Sequence, residues 1–139
     1  MKRAMDKITN SIWIGNYLDA RDTSGLAKAG IKSILCLDGC MAGAKEEVAG
    51  VERIDVVELI DGAGNPPEKF LRAVRLLKEL SAKHAPVLVH CHAGQSRSAA
   101  VVCKFFMKEE GNTLNDAMRR ITTKRRVSII AGLQEVLDF

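Results

Sequence analysis

The hydrophobic positions of the chain alternate between short apolar runs and longer stretches in which apolar residues recur at helical spacing. The short runs predict strands near residues 12–14, 31–37, 51–59 and 87–90. The longer stretches predict helices near residues 22–29, 67–83, 97–110, 113–123 and 131–139. This order favours an α/β fold, in which a central mixed, mostly parallel sheet of four to five strands carries helices on both faces.

Residues with strong positional preferences agree with these helix boundaries. Pro67 suits the first turn of a helix, where its missing N–H costs no hydrogen bond. Gly111 is expected to end the next long helix as the residue after its C-cap, and Asn112 or Thr113 to cap the helix that follows.

Length and composition fit one domain over residues 1–139. Of the 139 residues 47% are hydrophobic and 27% charged, which is ordinary for a globular protein, and no apolar run approaches the roughly 20 residues of a membrane span. The basic start, residues 1–6, leads into no apolar stretch, so we expect no secretory signal and no membrane partner. Four cysteines are too few for a disulfide scaffold, and we expect a cytoplasmic protein.

One segment, residues 90–98, carries most of the chemistry. It lies between the predicted strand at 87–90 and the predicted helix at 97–110. A loop in this position directs its backbone N–H groups at one point, where the helix dipole also favours negative charge. The segment is therefore predicted to bind an anion.

The side chains of this segment add a nucleophile and a clamp. Cys91 lies near the helix N-terminus and Arg97, surroundings that favour a thiolate. Arg97 follows six positions later and can grip a phosphate with its planar fork, while Gly94 permits a tight turn. Ser98 places a hydroxyl near the sulfur, where it can stabilise the thiolate as a leaving group. A cysteine alone would be interpreted as a core residue, but this combination indicates phosphoryl transfer through cysteine.

A metal site built from the histidines that flank this cysteine is not expected. His90 and His92 flank Cys91 at the end of a strand, where adjacent side chains are expected to point to opposite sides.

The chain at this point resembles the cysteine-based protein tyrosine phosphatases, in particular the small dual-specificity type. The family pattern is His-Cys, five residues, Arg and then Ser or Thr, and His90, Cys91, Arg97 and Ser98 occupy those places. The resemblance extends beyond this loop. The family's opening strand is similar to residues 12–16, its first helix and following strand to residues 26–37, and the helix behind the loop to residues 99–107. The resemblance implies hydrolysis of phosphotyrosine, phosphoserine and phosphothreonine through a phosphocysteine, with His90 in support. It places the phosphate against residues 92–97: His92, Ala93, Gly94, Gln95, Ser96 and Arg97.

Such an enzyme needs an acid to protonate the departing oxygen. Asp61 follows the apolar run 56–60 and opens a glycine-rich loop, and the resemblance implies that it is this acid. Asp55 alternates within a predicted strand and is interpreted as a solvent-facing strand residue. Asp38, which follows an earlier strand, is the second alternative candidate for the acid after Asp55.

Two further expectations depend on the resemblance. Some relatives protect the nucleophile with a second cysteine, and Cys40 is the candidate redox partner of Cys91, with an incidental loop thiol as the alternative. The family often has an asparagine before the glycine at position 132, where this chain has Ala131. This departure leaves open how the phosphate loop is supported from the C-terminal side.

The expected partners are phosphorylated proteins, with small phosphomonoesters as substrates in vitro. Net charge is +4, and the basic clusters at 119–120 and 124–126 are interpreted as solvated faces that steer anions, not as a nucleic-acid surface. A monomer without cofactor or metal is expected. Alternatives remain: a phosphatase for a phosphoinositide or an RNA 5′-phosphate, a rhodanese or arsenate-reductase type of enzyme, or an inactive phosphate-binding module.

Overall fold

The computed structural model describes residues 5–137. Five strands form one sheet in the order β1-β2-β5-β3-β4, in which β1 is antiparallel to β2 and all other neighbours are parallel. The strands are β1 (Asp6–Lys7), β2 (Ile12–Gly15), β3 (Ser33–Cys36), β4 (Arg53–Val56) and β5 (Val87–His90). The mixed, mostly parallel sheet predicted from the sequence is confirmed.

Seven α-helices connect and cover the strands of the described chain. They are α1 (Tyr17–Arg21), α2 (Thr23–Ala29), α3 (Glu46–Ala49), α4 (Pro67–Lys83), α5 (Arg97–Glu110), α6 (Leu114–Thr122) and α7 (Gln134–Leu137), the last preceded by a 3-10 turn at Ala131–Leu133. Within residues 5–137, none of these helices combines the length and the apolar character needed to cross a bilayer.

Helix boundaries follow the expected end signals. Gly111 lies just beyond α5 in the left-handed conformation, with φ at 70°. The hydroxyl of Thr113, one of the two residues expected to cap α6, accepts the N–H of Asp116.

The sequence did not predict β1, α1 or α3, and it made two strands too long, 31–37 for β3 and 51–59 for β4. These three elements have two to five residues each, too few to show a periodic pattern. The only local signal for α1 is its capping box, in which the Asn16 side chain and Asp19 exchange hydrogen bonds with each other's backbone N–H groups. The predicted C-terminal helix begins as a 3-10 turn, and its last two residues, 138–139, lie outside the described part.

Adjacent strand residues contribute to two separate apolar clusters, which places the clusters on opposite faces of the sheet. Leu35 and Val89 join the larger cluster with α4, α5, α6 and α7. Ile34 and Leu88 join the smaller cluster with residues of α1, α2 and α3. Helices therefore cover both faces, as predicted.

The register of the parallel strands brings their carboxyl ends to one edge. Cys36, at the end of β3, pairs with His90 at the end of β5, and Gly15 of β2 pairs with His90 from the other side. In parallel sheets this edge is where ligands bind, because the loops that follow the strands meet there. The segment with Cys91 and the loop with Asp61 both leave the sheet at this edge.

Candidate active site

The loop of residues 91–97, called the phosphate loop below, presents free backbone donors. Within residues 5–137, the N–H groups of residues 92–96 have no protein acceptor. The side chain of Ser96, at the N-cap of α5, makes no capping hydrogen bond to the helix. A row of unpaired N–H groups at a helix N-terminus is an anion-binding arrangement.

Cys91 lies at the base of this loop with a hydroxyl beside it. The thiol is only 2% exposed, and its Sγ lies 3.3 Å from the Oγ of Ser98. Ser98 is buried in the first turn of α5. The two side chains therefore come together as the sequence predicted, and the hydroxyl can donate a hydrogen bond to a sulfur that carries negative charge.

The Arg97 side chain connects the phosphate loop to the segment between β4 and Asp61. Its Nη1 donates to the backbone carbonyl of Leu59 at 3.1 Å. Its Nε is buried and has no hydrogen-bond partner in the described chain. One side of the guanidinium is thus anchored, while a donor remains for an oxyanion.

His90 and His92 lie in different surroundings, but the strand alternation expected from the sequence is not the reason, because residues two apart on a strand share a face and His92 lies beyond the end of β5. His90 is fully buried, and its Nδ1 lies 3.4 Å from the carbonyl oxygen of Cys91. Burial lowers the pKa of His90, although Asp38 opposes this shift, so the imidazole is held neutral. The exposed ring of His92 stacks on Tyr17, with ring centroids 4.4 Å apart, and its carbonyl accepts the N–H of Tyr17.

Gly94 is the tightest point of the phosphate loop. Its φ is 69°, and a Cβ there would lie 2.5 Å from the carbonyl oxygen of Gly15 and 2.6 Å from Nη2 of Arg125. Both the left-handed backbone and the lack of space require glycine.

Arg125 supports this loop from behind, which corrects its interpretation as part of a solvated basic face. It is 9% exposed, its Nε donates to the carbonyl of Gly94 at 2.7 Å, and its Nη1 donates to Asp6 at 2.9 Å. The sequence offered no signal for this role, because Arg125 lies within a run of basic residues and its contacts are distant in the chain.

The C-terminal segment also supports the phosphate loop, despite the departure at Ala131. The backbone N–H of Ser128 donates to the carbonyl of Gln95 at 2.9 Å, and that of Ile130 donates to Oγ of Ser96 at 3.0 Å. The support thus comes from backbone groups before Ala131.

Asp61 is exposed on a loop, residues 60–66, called the acid loop below. The buried Asn65 organises this loop: its Oδ1 accepts the N–H of Ile60 at 2.7 Å, and its Nδ2 donates to the carbonyls of Ile60 and Gly62. A Cβ on Gly132 would collide with the backbone of Ala63, so the C-terminal segment packs directly on the acid loop. Asn65 was missed because its only sequence signal is a polar residue before two prolines.

The two rival carboxylates are engaged elsewhere. Asp55 is half-buried rather than solvent-facing and pairs with Arg53 at 3.1 Å. Burial acts to raise the pKa of Asp38, but hydrogen bonds from Cys40, the neighbouring His90 and the Cys36 thiol outweigh it and hold that pKa below its usual range. Asp38 is therefore held as an anion and is poorly suited to donate a proton.

Cys40 lies in the loop after β3, half-buried beside Asp38. Burial, together with the hydrogen bond to Asp38, raises the pKa of Cys40 to about 12. Its Sγ lies within 4.8 Å of the sulfur of Cys36.

Comparison with known proteins identifies the family of this chain. The family model described as dual specificity phosphatase, catalytic domain, matches residues 12–135. The chain belongs to this family.

Individual relatives carry the same description. The human dual specificity protein phosphatase 22 is 28% identical over 125 residues, which make up 90% of this chain and 66% of that protein. Its counterpart from Xenopus tropicalis is 30% identical, over 90% of this chain and 58% of that protein. Dual specificity protein phosphatase 1 of Arabidopsis thaliana is 27% identical, over 87% of this chain and 60% of that protein. The chain thus spans less than two thirds of the length of these relatives.

Solved structures share the fold. The crystal structure of a mouse putative dual specificity phosphatase superposes with a TM-score of 0.85 at 23% identity, covering 99% of this chain and 86% of that one. A human tyrosine phosphatase-like serine/threonine/tyrosine-interacting protein gives a TM-score of 0.80 at 26% identity, covering 98% of this chain and 94% of that one.

Proposed function

We propose that this chain hydrolyses phosphate monoesters of tyrosine, and of serine and threonine, in phosphorylated proteins. The observation that carries the proposal is the phosphate loop itself: the free N–H groups of residues 92–96 and the unpartnered Nε of Arg97 accompany a thiol. Membership of the dual specificity phosphatase family supports the protein substrate.

The first chemical step forms a phosphocysteine. The Cys91 thiolate attacks phosphorus, an S–P bond forms, and the bond from phosphorus to the alcohol or phenol oxygen breaks. The loop N–H groups and Arg97 hold the three equatorial oxygens, and the Asp61 carboxyl gives its proton to the leaving oxygen.

The second step releases phosphate. The Asp61 carboxylate takes a proton from water as the water oxygen attacks phosphorus, and the S–P bond breaks. Ser98, whose Oγ lies 3.3 Å from the sulfur, donates a hydrogen bond to the departing thiolate. The guanidinium and the backbone donors supply the positive charge in both steps, so this reaction needs no cofactor.

Cys91→Ser tests the covalent mechanism. The hydroxyl keeps the shape of the loop but is far less acidic than a thiol, so we expect phosphate or vanadate binding to persist and turnover to vanish. Binding is measured by calorimetry and turnover with para-nitrophenyl phosphate, and acid-quenched wild-type enzyme is examined by mass spectrometry for phosphate on Cys91. Residual activity within tenfold of the parent would contradict the phosphocysteine.

The substrate class is tested with a panel of phosphotyrosine, phosphoserine and phosphothreonine peptides, phosphoinositides and an RNA 5′-phosphate. We expect the phosphopeptides to have the highest kcat/KM. A higher value for a phosphoinositide or the RNA would assign a non-protein substrate, and binding without turnover of any member would assign an inactive module.

We also propose a monomer in the cytoplasm, where reduced thiols persist. Light scattering of the reduced protein should give the mass of one chain, and cell fractionation should recover it in the soluble cytoplasmic fraction. A dimer, or recovery outside the cytoplasm, would overturn the corresponding part.

Cys40 is proposed as the redox partner of Cys91. Peroxide converts the Cys91 thiolate to a sulfenic acid, and the Cys40 thiol then attacks that sulfur with loss of water to form a disulfide. Peptide mapping after mild peroxide treatment should find Cys91 linked to Cys40, reversibly with dithiothreitol. Sulfinic acid on Cys91 with Cys40 still free, or a link between Cys36 and Cys40, would reject this role.

A further inference from the structure

A second group of reactive side chains lies beside the phosphate loop, and neither of the two chemical steps proposed above uses any of them. Cys36, Asp38, Cys40 and His90 each offer one ligating atom, and these four atoms all lie within 4.8 Å of one another. Two thiols, a carboxylate and an imidazole are the donor types that proteins use for zinc.

The sheet register explains how Cys36 and His90 meet. They are direct partners on neighbouring parallel strands, β3 and β5. Side chains of paired residues project from the same face of a sheet, so sulfur and imidazole are neighbours wherever these strands pair. Both residues are fully buried, so their positions are fixed by the core.

The loop after β3 brings the other two donors to the same point. Gly39 has a φ of 81° and reverses the chain between Asp38 and Cys40. Oδ1 of Asp38 accepts the N–H of Cys40 at 2.9 Å and the thiol of Cys36 at 3.3 Å. The carboxylate is therefore held beside both thiols by its own hydrogen bonds.

The His90 ring is poorly satisfied by the protein. Its Nε2 is buried without a hydrogen-bond partner in the described chain, and its Nδ1 lies 4.0 Å from Oδ1 of Asp38, too far for a hydrogen bond. Nδ1 has only the 3.4 Å contact to the Cys91 carbonyl. A buried imidazole without good partners is costly. Of its two nitrogens, Nδ1 faces Asp38 and has only this weak contact to give up to a metal ion.

Spacing also agrees with a tetrahedral ion. Zinc bonds of about 2.3 Å to sulfur and about 2.0–2.2 Å to nitrogen or oxygen separate neighbouring ligand atoms by roughly 3.4–3.8 Å. The observed separations of 3.3 Å between Cys36 and Asp38 and 4.0 Å between Asp38 and His90 lie close to this range. Small side-chain rotations would bring all four atoms to one centre.

We propose that Cys36, Asp38, Cys40 and His90 form a four-ligand zinc site. Four protein ligands leave no open position for substrate, which is typical of structural zinc and not of catalytic zinc. The ion would join the loop after β3 to the end of β5, directly before Cys91. With the ion bound Cys40 is a ligand, so the redox role proposed for it above belongs to the zinc-free protein. The two thiols release their protons to solvent as thiolates bind. The sequence-based expectation of no metal considered only His90 with His92 and did not address this cluster.

The test uses Co²⁺ as a spectroscopic substitute for zinc, with the full chain kept reduced by a phosphine that does not bind the metal strongly. The protein carries Cys91→Ser, so that the catalytic thiol cannot contribute. We expect one equivalent of Co²⁺ to give a thiolate charge-transfer band and the strong visible bands of a tetrahedral site, and zinc to displace it. Absence of these bands in Cys91→Ser, or their presence only when Cys91 is intact, would overturn the proposal.

Matched variants locate the ion. Adding Cys40→Ser should weaken Co²⁺ binding by roughly tenfold or more and reduce the charge-transfer band. Adding Cys103→Ser, which removes a buried thiol in α5 outside the cluster, should change neither. Asp38→Asn provides a second variant that keeps both thiols and should lower affinity, and circular dichroism confirms that each variant is folded. Equal Co²⁺ spectra and affinities in folded Cys40→Ser and Cys103→Ser would refute the site.

Discussion

The phosphate loop and the acid loop leave the same edge of the sheet, but they are held in different ways. The carbonyls of Gly94 and Gln95 and the hydroxyl of Ser96 each accept a hydrogen bond from the segment 125–130, far away in the chain. The acid loop takes one hydrogen bond from its Gly64 to the distant Glu135 and packs on Gly132, but most of its hydrogen bonds are made by Asn65, one of its own residues. Asp61 itself is exposed.

This difference agrees with the two tasks proposed for the loops. An anion cradle works only if its donors are fixed before the ligand arrives, because reorganisation would reduce transition-state stabilisation. A general acid must reach leaving groups of different shapes, which a locally organised loop permits. Damage to the phosphate loop should therefore affect binding and catalysis together, whereas damage to the acid loop should affect only kcat.

Among the variants of the phosphate loop, Arg97→Lys should have the largest effect. The charge is kept, but the planar fork and the anchoring bond to Leu59 are lost. We expect kcat/KM to fall by on the order of 10³ or more, almost as far as in Arg97→Ala. Steady-state kinetics with para-nitrophenyl phosphate provides the measurement. A lysine variant that keeps more than half of kcat/KM would show that charge alone is sufficient.

Asp61→Asn tests the acid loop. Loss of the acid should lower kcat by roughly 10²–10⁴ with a phosphotyrosine peptide and by less with para-nitrophenyl phosphate, whose leaving group needs little protonation. Inhibition by phosphate should remain unchanged, since the phosphate loop is intact. Asp38→Asn and Asp55→Asn, both assayed in the zinc-free protein because Asp38 is a proposed zinc ligand, are the controls. A larger loss in either control, or equal losses for both substrates, would assign the acid elsewhere.

The sequence predicted the phosphate loop better than the groups that hold it. Cys91, Arg97 and Ser98 are close in the chain, so their relation is visible as spacing, and the structure brings Cys91 and Ser98 to 3.3 Å. Arg125 contacts Gly94 across 31 positions, a relation that exists only after folding.

The same distinction applies to the fold. The long helices α4 and α5 were predicted with the bounds that the structure shows, because each presents several turns of apolar spacing. The cluster of Cys36 with His90 depends on strand order and register, which a single sequence does not reveal.

Gly94→Ala should weaken the phosphate loop without touching any proposed catalytic side chain. Its methyl group would lie 2.5 Å from the Gly15 carbonyl oxygen, on a backbone with φ of 69°. Strain of about 1–3 kcal/mol should raise the inhibition constant of vanadate by roughly 10–100-fold. Gly43→Ala is the matched control, with φ of 79° but no atom within 4 Å of the added carbon. Similar inhibition constants for the two variants would mean that the close approach is unimportant.

Asn65→Ala should have the smallest effect and should affect only the acid loop. It removes the acceptor of the Ile60 N–H and the donors to the carbonyls of Ile60 and Gly62, so Asp61 should spend less time in its productive position. If about 1 kcal/mol of this hydrogen-bond energy bears on the position of Asp61, kcat for phosphotyrosine should fall roughly five- to tenfold while vanadate inhibition stays constant. In the Asp61→Asn background the same substitution should change kcat little, because the group that it positions is already gone. Equal losses in both backgrounds would show that Asn65 acts on the fold and not through Asp61.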